Sequence, residues 1–147
     1  MEHGKKDELW DDVEPVISGL GFSIVELKSR IVRNNFQVHL VIYHPEGVGV
    51  EDCSLVYKTL FPRIEILIEN RDINLEVSSP GIERRLKSVE EFAVFKGKGI
   101  RILPVDSEEW ITGIIEETDL EKVRIKKGNE TVDIEYNAVR KAKLDYS

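Results

Sequence analysis

The chain has 147 residues, of which 41% are hydrophobic and 33% charged, and a formal net charge of −7; this balance belongs to folded globular chains and excludes low-hydrophobicity disorder. No apolar run approaches the roughly 18 to 20 residues that span a bilayer, and the polar start "MEHGKKDELWDD" lacks the apolar core of a signal peptide, so a cytoplasmic protein with no membrane contact is expected. The acidic balance argues against a general nucleic-acid coat, and the single cysteine, Cys53, excludes an intrachain disulfide or a cysteine-based metal cage and reads as a small buried apolar residue.

The length suits one domain or two small ones of roughly 60 to 90 residues each. Leu9, Val13, Val16, Ile17 and Leu20 recur at helical spacing, with Asp7 placed to cap and Gly21 just past the end, so a helix is predicted over 7–20 despite Pro15. "FSIVELKS" (22–29) and "FQVHLVIYH" (36–44) carry the β-branched and aromatic residues of strands, joined by the polar "RIVRNN" as a hairpin connection. Glu51 and Asp52 place negative charge at the start of a second helix whose face is Cys53, Val56, Leu60 and Ile64, and which Pro62 is predicted to end or bend. "DINLEV" (72–77) returns as a strand. The first half is therefore an α+β layer, two helices on a three-stranded sheet.

Ser79-Pro80-Gly81-Ile82 has the residues of a type II turn, with proline fixing the second position and glycine supplying a positive φ at the third. Ser88 with Glu91 forms a capping-box pattern opening a short helix whose Val89, Phe92 and Phe95 face inward. After Gly97 the pattern becomes all-β, with short strands spaced as in a small barrel and Gly113 at a corner. Gly128-Asn129 sits between alternating runs as a two-residue hairpin turn. Pairing outward from it sets Ile125 opposite Val132, Val123 opposite Ile134, Arg124 opposite Asp133 and Lys122 opposite Glu135, so the stripe Lys122, Arg124, Lys126 reads as a cross-strand charge match.

Charge is unevenly distributed. Residues 1 to 80 carry 8 Lys and Arg against 14 Asp and Glu, a net of −6, whereas residues 81 to 147 carry 13 against 14, a net of −1. Between Glu83 and Arg101 six basic residues face three acidic ones, beginning with the adjacent and uncompensated Arg84 and Arg85. Motifs for chemistry are missing: there is no phosphate-binding G-x-x-x-x-G-K-[ST], no G-x-S-x-G elbow, and His3, in a loose terminus, His39 and His44 lack metal-ligand spacing. No catalytic residue, metal or cofactor is expected. Trp10 neighbours a helical stripe and Trp110 opens a strand, which predicts partial core burial for both rather than base stacking. Composition leaves open that the linker arginines merely keep a linker solvated.

"LEVSSPGIERRL" followed by "EEFAVFKGKGIRI", then "TGII" and "VRKAKL", closely resembles the RimP family of ribosome maturation factors, as do "VEPVISGLGFSIVELK" and "GVGVEDCSLVYKTL" upstream. The resemblance covers nearly the whole chain. It departs at Glu83-Arg84-Arg85-Leu86, where the family commonly reads Asp-Arg-Pro-Leu, which implies a less rigid linker. It implies an N-terminal α/β domain (1–83) joined to a C-terminal SH3-like or Sm-like barrel (84–147), in a non-catalytic, monomeric factor. Such a factor binds the free small (30S) ribosomal subunit, assists its late maturation, and touches a basic small-subunit protein of the decoding region, number twelve in its series. The residues assigned to partner binding are Ser78, Ser79, Gly81, Arg84 and Arg85, with local rRNA phosphate contacts at the arginines. The first three are expected to shape the turn more than to touch a partner. Two other readings remain at this point: a generic Sm-like RNA-binding module acting through the barrel, and a hydrolase, which would need converging carboxylates or a perturbed histidine in one pocket.

Overall fold

Leu9, Val13 and Ile17 recur one helical turn apart, and in the computed structural model, which describes residues 1–69, 71–81 and 83–145, they line the buried stripe of helix α1, Trp10–Gly19. Strand β1, Ser23–Val32, and strand β2, Asn35–Tyr43, pair antiparallel, and their connection shrinks to Arg33 and Asn34 because the ladder continues through Val32 opposite Asn35. Asp7 does not cap α1, whose N-cap is Leu9 without a side-chain cap; its carboxylate instead accepts the Leu9 N–H at 2.9 Å and the Ser29 N–H and hydroxyl at 2.7 and 2.8 Å, tying the chain that enters α1 to β1.

Helix α2, Val50–Leu67, does not stop at Pro62. Its buried face, Val56, Leu60 and Ile64, continues past the proline, and burying Ile64 two residues beyond it, worth roughly 1.5–3 kcal/mol, helps to offset the lost backbone hydrogen bond. Asp52 accepts the Gly49 N–H at 2.8 Å at the helix start. Cys53 is only half-buried; burial, helped by the Asp52 charge, pushes its thiol pKa up. Strand β3, Asp72–Ser78, pairs parallel with β2, giving the sheet order β1-β2-β3. Alternate residues of β2, Phe36, Val38, Leu40 and Ile42, meet both helix stripes in one core.

The second sheet is antiparallel and five-stranded: β4 Gly99–Pro104, β5 Ile111–Thr118, β6 Lys122–Lys127, β7 Glu130–Glu135 and β8 Val139–Leu144, in the order β7-β6-β5-β4-β8. A 3₁₀ turn, Tyr136–Ala138, precedes β8, and helix α3, Val89–Val94, precedes β4. Among the described residues β7 and β8 do not pair, so the sheet is open. The β6–β7 register has Ile125 opposite Val132 and Arg124 opposite Asp133, as read from the sequence. Gly128 takes a positive φ of 61° while Asn129 does not, which makes the connection a type II′ turn. Contacts divide the chain into Lys6–Pro80 and a second unit formed by the residues from Gly81 on together with Met1–Lys5. Among the described residues no helix is long and apolar enough to cross a membrane.

The N-terminal residues are held rather than loose. The Val89 N–H donates to the Glu2 carbonyl at 3.0 Å, and Glu90 accepts the Gly4 N–H at 2.8 Å and meets the His3 ring at 3.0 Å. Partial burial tends to raise the Glu90 pKa, but these hydrogen bonds outweigh it and hold the carboxyl below its usual range. Nearby, the buried Tyr136 ring packs on Phe92 at 5.3 Å. Desolvation, with the Asp119 and Glu90 charges adding to it, pushes the Tyr136 phenol up to about 12. Because the folded state then binds a proton that the unfolded state has released, stability is unaffected below about pH 10 and is lost as pH rises from about 10 through about 12. The urea midpoint of the native chain should fall more steeply between pH 9 and 11 than that of Tyr136→Phe; parallel slopes would refute the assignment.

Candidate functional site

The segment after β3 changes character within a few residues. Ser78 closes β3 opposite Val41, half-buried, and Ser79 is exposed; both belong to the first unit. Gly81, in the second unit, is exposed but does not adopt a positive φ, so the predicted type II turn is not formed there, and the part of that reading on Ile82 lies outside the described residues. The Arg84 N–H instead donates to the Gly81 carbonyl at 3.1 Å. The chain then runs beside β8: the Leu144 N–H donates to the Arg84 carbonyl and the Leu86 N–H to the Ala142 carbonyl, both at 2.9 Å, and Arg85 stands opposite Lys143. Leu86, fully buried, anchors this stretch.

Extended backbone sends neighbouring side chains to opposite sides, and that parity separates the two arginines. Arg84 turns inward, its side chain 11% exposed, and its Nε donates to Glu91 Oε1 at 2.7 Å. Glu91, itself buried in α3, also accepts the Lys87 and Ser88 N–H groups at 2.8 and 3.1 Å. Arg84 is therefore compensated, contrary to the reading of two free cations, and the capping glutamate is what compensates it. Arg85 stays exposed.

A sequence profile of the RimP N-terminal domain matches residues 12–83. Over 138 residues, 93% of this chain and 94% of the relative, the sequence is 33% identical to the ribosome maturation factor RimP of Borrelia recurrentis. The chain belongs to the RimP family. Over the same span it is 32% identical to the RimP protein of Borrelia hermsii and 30% identical to that of Borrelia turicatae.

The other cations of this RimP-family chain sort by partner. In the second unit Arg124 reaches Asp133 at 2.9 Å, as the hairpin register foretold, while Lys122, opposite Glu135 in the ladder, turns its ammonium to Asp133 at 3.6 Å; the Arg124 hydrogen bond holds the Asp133 carboxyl below its usual range. Lys96 pairs with Glu117 at 3.0 Å and Arg140 approaches Glu108 at 3.8 Å. In the first unit His39 stands on the outer face of the sheet between Glu26 and Glu76, 3.8 Å from each. Among the described residues no cluster of His, Cys, Asp and Glu is arranged to hold a metal.

Sequence reasoning missed a cluster around Trp110. Trp10 packs against the first core as expected, but Trp110 is 37% exposed, with the Arg101 guanidinium 5.4 Å and the Lys143 ammonium 5.7 Å from its ring centroid. The sequence signal was present in principle: in an antiparallel ladder Arg101 alternates with the buried Ile100 and Ile102 and must face away from the core.

Proposed function

We propose that this protein is a non-catalytic, monomeric ribosome assembly factor of the cytoplasm that binds the free small (30S) subunit and assists its late maturation. The observation that carries this reading is the match over 93% of the chain to proteins named ribosome maturation factor. The strand order of the second sheet and the 3₁₀ turn before its last strand support an SH3-like architecture for that unit. The charge division supplies a physical rationale. An acidic N-terminal half, net −6 over residues 1 to 80, is repelled by bulk RNA and attracted to a basic ribosomal protein, for which the small-subunit protein of the decoding region is the proposed partner. Arg85 contributes local contact with rRNA phosphate, while Arg84 and the Ser78–Gly81 stretch shape the chain beside it.

Sedimentation of a cell lysate through a sucrose gradient tests the reading. The protein is expected with free small subunits and absent from complete ribosomes, and Arg85→Glu is expected to reduce the bound fraction several-fold. Recovery only at the top of the gradient, even at low salt, would overturn the assembly role, and an unchanged bound fraction for Arg85→Glu would remove that residue from the contact.

A further inference from the structure

We infer that the outer face of β4 and β8, centred on Trp110, is a binding surface for single-stranded RNA. The inference deepens the ribosomal reading above and rests on it. Cross-strand register sets Arg85 beside Lys143, Lys143 beside Arg101, and Arg101 beside Thr112 on β5, so three cations form a continuous row with no carboxylate between them. Among the described residues none of the three makes an ion pair, whereas Arg84, Lys96, Lys122, Arg124 and Arg140 all reach carboxylates. Like charges directly opposite one another destabilise a sheet, and the same sheet shows the alternative, since Arg124 lies opposite Asp133. A polyanion laid along the row removes that repulsion and releases its own counterions.

The aromatic at the end of the row selects the class of polyanion. Trp110 holds Arg101 and Lys143 near its ring, which fixes the two head groups, and a third of its surface remains open to solvent. Ile114, 48% exposed on β5, extends the apolar surface. Exposed indole next to ordered cations fits an unpaired base with its phosphate, a combination that duplex nucleic acid and acidic protein do not offer.

Fluorescence anisotropy with a labelled short oligouridylate and the full-length chain is the test. Binding is expected to weaken as salt rises, and replacing Arg85, Arg101 and Lys143 together by alanine should make the slope of log affinity against log salt shallower by about 2, at ~0.7 per phosphate contact. Trp110→Ala should weaken binding about 5- to 100-fold and Trp110→Phe much less, as stacking predicts. Arg124→Ala, whose cation is already paired with Asp133, should leave the slope unchanged. No binding by the native chain at low salt, an unchanged slope in the triple variant, or equal binding of polyglutamate would overturn the inference. The gradient experiment separates it from the parent reading: small-subunit association without oligouridylate binding refutes this surface alone, and oligouridylate binding without association refutes the assembly role alone.

Discussion

Replacing Glu91 by alanine is expected to destabilise the second unit by about 3–5 kcal/mol, the range for breaking a buried ion pair by removing one partner. Two losses coincide. The Arg84 guanidinium, with an 11% exposed side chain, loses the carboxylate that offsets its desolvation. The Lys87 and Ser88 N–H groups lose their acceptor at the start of α3, so the short helix loses the glutamate half of its capping box. Arg84→Met should cost less, because Glu91 keeps both backbone donors and the methionine stem fills much of the arginine's volume. The double variant should be less destabilised than the sum of the two single ones, since the unpaired charge is then gone. Hydrogen exchange of amides in α3 and β8, followed by mass spectrometry on the full chain, reads the effect in the unit concerned. An exchange pattern for Glu91→Ala like that of the native chain would show that the pair does not hold this stretch.

Gly113→Val is expected to be at least as damaging, because the obstacle is backbone. A β-carbon on residue 113 would lie 2.5 Å from the Lys126 carbonyl oxygen and 2.5 Å from Ile125 Cγ2, contacts that no rotamer relieves. The side chain can be accommodated only by moving β5 away from β6, and overpacking of this kind costs about 1–3 kcal/mol for a small increment and more for a branched one. Gly113→Ala should already accelerate exchange in β5 and β6, with valine beyond it. The Lys6–Pro80 unit, with its own core, should keep its protection in both variants. Equal protection of β5 in native and alanine forms would mean that the ladder yields more readily than the close approach implies. The sequence marked Gly113 as a corner of a barrel; the structure gives the requirement a different physical content, proximity to the neighbouring strand.

Much of this could be read one residue at a time. Helical periodicity marked α1 and α2, β-branched runs marked the strands of both sheets, and Gly128 fixed the register of the β6–β7 hairpin, with its Arg124 and Asp133 pair, to the residue. These features depend on neighbours within a few positions, where local sterics and a fixed side-chain period act directly. Pro62 shows the limit of that reasoning, since a local helix breaker was overruled by the burial of Ile64 two residues later. The candidate site was legible only in outline. The basic stretch was visible as composition, but composition treats Arg84 and Arg85 as equivalent, and Trp110 as a strand residue destined for the core.

The amino-acid order by itself determined the element types, the two hydrophobic stripes, the hairpin register and the concentration of negative charge in the first half, together with the family membership that the comparisons established. Tertiary structure alone decided which cations are spent internally and which stay open to a ligand. Glu91 captures Arg84 because α3 turns its first residues toward the strand-like segment beside β8. Arg101 and Lys143 meet over Trp110 because β4 lies between β5 and β8 in the sheet. His3 finds Glu90, 87 positions away, for the same kind of reason. Such pairings depend on how distant segments are brought together by burial of the core, which no local pattern of charges encodes.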